Sequence, residues 1–269
     1  MNREKFIMWL EGYLDALKLE GVKDDKLESI RKRMDEIQLD KFAKKVYSQN
    51  GEDGITLRLL DLLYDNPKGK YYVEFGVENG DECNTRILYE NYQWNGLLMD
   101  GGYYNTNKNL QLEFITKENI EQLFIKHNVP KHINLLSVDI DMNDWHVLKK
   151  ILQSGYFADI IIVEYNGHIP PTEAKSVPYE PTQMWDGTNW YGASLLAFNK
   201  LLVPEGYVLV CTDPRGVNAF FVREKLLKER DIWIKDVGDV VKLYNSPNFQ
   251  NRIFGEHPSD DLNRRYINV

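Results

Sequence analysis

Polar side chains that can bind a cation or take up a proton follow two apolar runs of the chain. Asp139 and Asp141 come after the first run, and Glu164, Asn166 and His168 come after the second. If both runs are parallel strands of one sheet, their carboxyl ends lie at the same edge, where α/β proteins bind ligands. We therefore expect these five side chains to lie close together.

Three uses of this group remain open at the level of sequence. Carboxylate and amide oxygens suit a hard cation such as Mg²⁺, with Asp141, Glu164 and Asn166 as its predicted ligands. A carboxylate or His168 can instead remove a proton from a substrate hydroxyl, so Asp141, Glu164 and His168 are the predicted catalytic residues. Asp139 can hydrogen-bond to a cofactor. The alternative is that the aspartates cap the following helix, which explains Asp139 poorly.

A glycine-containing turn follows another apolar run, at residues 71–75. Glu74 lies near the end of this run, and Gly76 and Gly80 come before a segment predicted to be helical over 81–91. Glycine is needed where the backbone adopts positive φ or approaches a ligand closely, and the N–H groups of a following helix point toward such a turn. The spacing differs from the G-x-G-x-x-G of dinucleotide sites. The turn predicts a nucleotide-type ligand site, with a ligand-free strand–turn–helix connection as the alternative.

The next predicted strand also ends in an acid. Asp100 is followed by Gly101 and Gly102. An acid about 20 residues past such glycines can accept hydrogen bonds from ribose hydroxyls, and Asp100 lies slightly further along the chain than that. The alternative is a solvated turn.

Strands and helices alternate through most of the chain. The predicted strands are 71–75, 96–100, 112–115, 135–140, 160–164, 207–212 and 219–223. Helical segments between strands imply a parallel sheet, whereas the four-residue connection at 213–216 implies an antiparallel hairpin. At the N-terminus, apolar residues at helical spacing, including Ile37 in the second helix, predict a helical hairpin over 1–42. The main domain is then 43–269, and the hairpin is a packing appendage or a homo-oligomer contact.

Composition narrows the class of protein. The 269 residues carry a net charge of −8, which disfavours a nucleic-acid partner. The two cysteines, Cys83 and Cys211, have no metal-type spacing and fit a reducing compartment. Acids interrupt the apolar N-terminus, and no apolar run is long enough to cross a membrane. We predict a cytoplasmic protein without a membrane partner.

Five segments, in their order along the chain, resemble the FkbM-like family of class I S-adenosylmethionine-dependent methyltransferases. They are residues 47–53, 73–80, 95–98, 137–148 and 162–164. The resemblance covers 45–225. It implies an α/β, Rossmann-like sheet of seven strands that is mostly parallel and ends in an antiparallel hairpin. It also implies S-adenosylmethionine as the methyl donor and O-methylation of a small molecule, often a sugar or a sugar-bearing metabolite.

The resemblance also implies roles for individual residues. The implied donor-binding residues are Glu74, Gly76, Gly80, Asn84, Thr85, Asp100, Gly101 and Asp139. Asp139, Asp141 and Glu164 match the strand-end acids of the family. Two residues depart from the family pattern: Met142 stands where a glycine is usual, and Glu74 replaces the commoner aspartate.

Aromatic residues are frequent between the fifth predicted strand and the helix at 195–202. They are Tyr165, Tyr179, Trp185, Trp190 and Tyr191. Aromatic faces mixed with polar groups suit the apolar face and hydroxyl rim of a sugar ring, so a saccharide acceptor is predicted here. The alternative is a lid that packs on the sheet.

Three functions compete on these observations. The first is an O-methyltransferase that uses S-adenosylmethionine, either with or without Mg²⁺. The second is a glycosyltransferase in which Asp139-Ile140-Asp141 holds a metal on the diphosphate of a nucleotide sugar. The third is a non-catalytic binding module on the same fold. The glycine turn favours the first.

Overall fold

The computed structural model describes residues 12, 13, 15–19, 21, 23, 26, 36–249 and 256–269. Residues 12, 13 and 15–19 are helical, in agreement with the first predicted helix, and most of the predicted hairpin lies outside the described residues. The spacing of Ile37 predicted that it lies in a second helix, and this prediction is wrong. Ile37 forms a parallel bridge with Ile234, because its backbone pairs with Trp233 and Lys235.

Seven strands form the main sheet, and helices connect most of them. The strands are β1 (Tyr71–Phe75), β2 (Asn95–Asp100), β3 (Leu110–Leu112), β4 (His132–Val138), β5 (Phe157–Glu164), β6 (Tyr207–Thr212) and β7 (Asn218–Arg223). The helices are α1 (Glu52–Leu63), α2 (Arg86–Tyr92), α3 (Ile120–Lys126), α4 (Asp144–Gln153), α5 (Leu195–Leu202), α6 (Glu224–Glu229) and α7 (Val240–Leu243). A separate short pair joins Lys175–Ser176 to Ile267–Asn268.

The strand order is β3-β2-β1-β4-β5-β7-β6. Strands β1 to β5 are parallel, and β7 runs antiparallel to both β5 and β6. The predicted α/β fold, a mostly parallel seven-stranded sheet with an antiparallel last hairpin, is confirmed, and this is the layout of the class I methyltransferase fold. The order reverses between β1 and β4, so the crevice for a ligand is expected outside the carboxyl ends of these two strands.

Both faces of the sheet are covered, which explains why β4 and β5 read as continuous apolar runs. On β5, Ile161 and Val163 pack into one core with α3, α4 and α5. Ile160 and Ile162 face the other core, which contains α1 and α2. This burial fixes the register of the strands and thereby the positions of the residues at their ends. No helix among the described residues is long and apolar enough to span a membrane.

Candidate functional site

Glu74 holds the turn after β1 in place. The side chain is buried, and its carboxylate accepts the backbone N–H groups of Asn84 and Thr85, each at 2.8 Å, and the Thr85 hydroxyl at 2.6 Å. Asn84 in turn donates to Ser137 Oγ on β4 at 3.1 Å. Burial raises the pKa of Glu74, and the bonds from Thr85 and Asn84 oppose that rise. Glu74, Asn84 and Thr85 are predicted to bind the methyl donor. In the structure, the hydrogen bonds that join them hold the turn in its shape.

The same bonds explain why α2 begins later than its sequence predicts. The helix was expected from residue 81, but it begins at Arg86. Glu74 draws the N–H groups of Asn84 and Thr85 toward β1, so the residues before Arg86 stay in a turn.

Gly76 lies where the segments that follow β1 and β4 come into close contact. Its φ is +69°, and a Cβ atom built on it would lie 1.5 Å from the carbonyl oxygen of Asp139. Only glycine allows this approach. Gly80 also has positive φ, at +72°, but a Cβ there would meet the flexible Lys108 side chain at 3.2 Å. Gly76 therefore brings the β1 turn against the segment that follows β4.

Asp100 orders the turn after β2. Its two carboxylate oxygens accept the backbone N–H groups of Glu78 at 2.8 Å and Gly102 at 2.7 Å. A carboxylate has about four acceptor positions, so each oxygen retains capacity for a ligand hydroxyl. A Cβ on Gly101 would lie 3.3 Å from the ring of Phe114, and Phe114 is 50% exposed. Phe114 is a further candidate residue of the site, and its position shortly after β3 is the sequence signal that points to it.

Asp139, Asp141 and Glu164 form one group, which we call the carboxylate group. One oxygen atom from each residue lies within 4.8 Å of the others. The group joins the end of β4 to the end of β5, as the sequence predicted. Carboxylate oxygens at this separation suit a hard divalent cation such as Mg²⁺.

The loop after β4 holds Asp141 in an uncommon backbone conformation. Its φ is +65°, and the N–H of Met142 donates to the carbonyl oxygen of Ile140 at 2.7 Å. Such residues cost about 1–3 kcal/mol and concentrate at functional sites. Met142, which stands where the family usually has glycine, is buried in a small apolar cluster with Val177 and Trp190. The residue of this loop with a left-handed backbone conformation is therefore Asp141. The buried side chain of Met142 packs the loop against the rest of the protein.

The carboxylate group concentrates negative charge at a partly buried place, where Asp139 and Glu164 are half-buried and Asp141 is exposed. Burial raises the pKa of Glu164 well above its usual value, and the charge of Asp139 adds to the rise. Burial likewise raises the pKa of Asp139, with Asp141 as the next cause. For Asp141, burial is again first, followed by Glu78 and Asp100. Glu164 Oε2 is buried without a hydrogen-bond partner among the described residues. The group therefore favours either shared protons or a positively charged ligand.

Asp144 supports the carboxylate group from the start of α4. Its side chain is fully buried, and Oδ1 accepts the backbone N–H of Ile140 at 2.7 Å. This bond ends β4 at Val138, two residues earlier than predicted. Burial raises the pKa of Asp144 to about 7. Asp144 thus holds the loop that carries Asp139 and Asp141.

Asn166 does not take the metal-binding position that was predicted for it. Its side chain is fully buried, and Nδ2 donates to the carbonyl oxygens of Asn189 at 2.9 Å and Tyr191 at 2.8 Å and to the Tyr266 hydroxyl at 3.0 Å. Its Oδ1 accepts the backbone N–H of His168 at 2.9 Å. The amide is a structural tie, and the third candidate cation ligand is Asp139.

His168, a predicted catalytic base, lies outside the carboxylate group. Its ring packs edge-on to Tyr191, with centroids 6.3 Å apart, and lies 5.5 Å from the ring of His257. It lines a cavity together with Trp190 and Tyr266. Its role as a base stays a prediction.

We expect the stability of the protein to fall as pH rises through neutrality. Asp213, in the β6–β7 turn, accepts the N–H groups of Arg215 at 2.7 Å and Val217 at 2.9 Å, and burial followed by the charge of Glu52 raises its pKa to about 7. The folded state therefore binds this proton more tightly than the unfolded state. The resulting stability is fully present below a pH of about 4 and is lost as pH rises through about 7.

Calorimetric unfolding between about pH 5 and about pH 8 tests this expectation. The melting temperature should fall by on the order of 5 °C over this range, and Asp213→Asn should reduce the slope even though it lowers the absolute stability. Equal slopes in the two proteins would contradict the assignment.

Comparisons with known proteins add little at the level of sequence. No family model and no curated protein matched the chain. Among solved structures, it is similar to the crystal structure of the CurJ carbon methyltransferase, with 11% identity, a TM-score of 0.39, and coverage of 65% of this chain and 55% of that one. It is also similar to the carbon-methyltransferase domain of the citrinin polyketide synthase, with 12% identity, a TM-score of 0.36, and coverage of 64% and 51%. The chain spans about half the length of these structures, and its fold assignment rests on its own strand order.

Proposed function

We propose that the protein is an S-adenosylmethionine-dependent methyltransferase that acts on a hydroxyl group of a small molecule, with a saccharide as the proposed acceptor class. One observation carries the proposal. The turn at Gly76 and the carboxylate group meet at the switch point of the sheet. The two backbones are so close there that a Cβ atom built on Gly76 would lie only 1.5 Å from the carbonyl oxygen of Asp139. Such a crevice is the ligand position of open α/β sheets.

The residues around this crevice suit the parts of the methyl donor. Asp100 retains acceptor capacity for ribose hydroxyls, and the half-exposed Phe114 ring beside Gly101 offers a face for a purine base. The methyl donor is positively charged at its sulfonium and amino groups. The carboxylate group lies next to the Gly76 turn, so its negative charge would attract these groups. When bound, the donor supplies an activated methyl group, so the protein has mainly to orient a hydroxyl toward it.

The carboxylate group suits the acceptor side of this reaction. Asp139, Asp141 and Glu164 would hold a divalent cation such as Mg²⁺, which lowers the cost of deprotonating a hydroxyl. Without a cation, Glu164, whose pKa is raised by burial, can act as the general base that accepts the hydroxyl proton. Asp144 and Gly76 keep these carboxylates in place through Ile140 and Asp139.

Calorimetric titration with S-adenosylhomocysteine tests the proposal. A uridine-diphosphate sugar with Mn²⁺ is the comparison ligand, since Asp139 and Asp141 also have the spacing of a nucleotide-sugar metal site. Micromolar binding of S-adenosylhomocysteine alone is expected. Binding of the sugar nucleotide alone would replace the proposal by the glycosyltransferase alternative, and binding of neither ligand would favour a non-catalytic module.

Asp100→Asn should weaken the binding of S-adenosylhomocysteine by about 10- to 100-fold, because hydrogen bonds to a charged group contribute about 1.5–3 kcal/mol. The matched measurement uses the 2′,3′-dideoxy analogue of the ligand. If Asp100 accepts ribose hydroxyls, the substitution should change the affinity of the analogue by much less. An equal loss for both ligands would mean that Asp100 acts only through the Glu78 and Gly102 turn.

A further inference from the structure

We propose that the side-chain oxygen of Asn218 joins the carboxylate group in binding one divalent cation, and only the part that this cation plays in methyl transfer rests on the proposed function. Asn218 is the first residue of β7, and it lies directly opposite Glu164, the last residue of β5. Directly opposed residues of antiparallel strands project from the same face, with Cβ atoms about 4.5–5.5 Å apart. The two side chains therefore leave the same edge of the sheet side by side.

The orientation of the Asn218 amide is fixed by Glu52, which begins α1. Asn218 Nδ2 donates to Glu52 Oε1 at 2.8 Å, and Glu52 Oε2 accepts the backbone N–H of Asn50 at 2.7 Å. Because the carboxylate oxygens of Glu52 act as acceptors, the amide nitrogen of Asn218 must face Glu52 and the amide oxygen must face away from it. Asn218 is only 3% exposed, and its Oδ1 is buried without a hydrogen-bond partner among the described residues.

Two neighbouring strands thus present buried acceptor atoms, Asn218 Oδ1 and Glu164 Oε2, that lack a donor among the described residues. Native proteins leave few buried acceptors unpaired, and each one calls for an explanation such as a bound ion. A proton shared between these two atoms would serve them but would leave the negative charges of Asp139 and Asp141 uncompensated. A divalent cation serves all four side chains, because oxygen atoms of the carboxylate group already lie within 4.8 Å of one another.

The surroundings of the carboxylate group also favour a positively charged ligand. After burial, the next four causes that raise the pKa of Asp139 are all carboxylates, namely Asp141, Asp144, Glu74 and Glu52. Carboxylates joined by one neutral amide oxygen form the oxygen-only set that Mg²⁺ and Mn²⁺ prefer. Asn218 therefore takes the amide-ligand role that the sequence had assigned to Asn166.

Binding of Mn²⁺ to the full chain, without S-adenosylhomocysteine, tests the inference. Electron paramagnetic resonance measures free Mn²⁺, and Mg²⁺ is the competitor. Asn218→Ser removes the amide oxygen but keeps a hydrogen-bond donor, whereas Asn218→Asp keeps the oxygen and loses the donor. Asn134→Ser is the matched control, because Asn134 lies near the amino end of β4 and both of its amide atoms are used. Its Nδ2 donates to Asp159 at 2.9 Å, and its Oδ1 accepts the Tyr71 N–H at 3.0 Å.

We expect the wild-type chain to bind Mn²⁺ and Mg²⁺ to compete for the same site. Asn218→Ser should weaken Mn²⁺ binding by about 10- to 100-fold, the loss typical of residues that support a metal site. Asn218→Asp should bind Mn²⁺ at least as tightly as the wild type, and Asn134→Ser should leave the affinity unchanged. If Asn218 only supported Glu52 through its N–H, Asn218→Asp would be the weaker of the two variants.

Three results would overturn the inference: no Mn²⁺ binding by the wild type, unchanged affinity in Asn218→Ser, or weaker binding by Asn218→Asp than by Asn218→Ser. The proposed function fails separately, through loss of S-adenosylhomocysteine binding. Binding of S-adenosylhomocysteine without binding of Mn²⁺ would overturn only this inference, since Glu164 can accept the hydroxyl proton without a cation.

Discussion

Gly76→Ala is expected to abolish binding of the methyl donor and to lower the free energy of unfolding by more than about 4 kcal/mol, the range of exceptional single substitutions. The added methyl group would lie 1.5 Å from the carbonyl oxygen of Asp139, at a residue whose φ is +69°. Both backbone segments are continuous with buried strands, so neither can move away without disturbing the sheet. Denaturant unfolding and titration with S-adenosylhomocysteine measure the two effects.

Gly80→Ala is the matched control for this substitution. Gly80 has a similar φ of +72°, but its added Cβ would meet only Lys108 Cδ at 3.2 Å and Leu98 Cδ1 at 3.4 Å. The conformational cost alone is about 1–2 kcal/mol. Comparable losses in both variants would mean that positive φ, and not the close approach to the loop after β4, makes Gly76 necessary.

Glu164→Gln is expected to lower kcat/KM for methyl transfer by about 100- to 10,000-fold, the usual contribution of a general base. The melting temperature at about pH 8 should stay the same or rise. The substitution removes the charge of a half-buried side chain whose buried Oε2 atom lacks a partner among the described residues, and the new amide can donate to Asp139. A raised melting temperature with lost activity distinguishes a functional carboxylate from a structural one. Transfer from tritiated S-adenosylmethionine and calorimetry supply the measurements.

Glu52→Gln provides the comparison with another buried glutamate. Both oxygens of Glu52 are used, by the Asn50 N–H at 2.7 Å and the Asn218 amide at 2.8 Å. We expect this variant to lose stability and to change kcat/KM by less than about tenfold. Full activity in Glu164→Gln, or a greater loss in Glu52→Gln, would remove Glu164 from the chemistry.

The sequence predicted the parts of the site that depend on strand ends. Asp139, Asp141 and Glu164 follow buried strands, whose apolar runs fix both their order and their register, so their convergence could be expected. The antiparallel last hairpin followed in the same way from its short connection.

The sequence could not predict features that depend on partners distant along the chain. Asn166 carries an amide oxygen that could bind a metal, but its amide nitrogen donates to the Tyr266 hydroxyl, 100 residues away, and this bond helps to fix the orientation of the side chain. Ile37 fits a helical pattern, but its backbone pairs with the segment around Ile234. Glu74 looks like a ligand-facing acid, but the N–H groups that it accepts come from the turn itself. For Asn166 and Ile37, local spacing gave the residue type and hydrogen bonds to distant segments decided its role, whereas for Glu74 the turn after β1 decided it.

A crystal structure of the protein with S-adenosylhomocysteine tests the central claim most directly. We expect the ligand to lie across the Gly76 turn, with its ribose hydroxyls on the Asp100 carboxylate, its base against Phe114 and its sulfur facing the carboxylate group. A ligand bound elsewhere, for example in the cavity lined by His168 and Trp190, would contradict the assignment of the donor site and the function proposed from it.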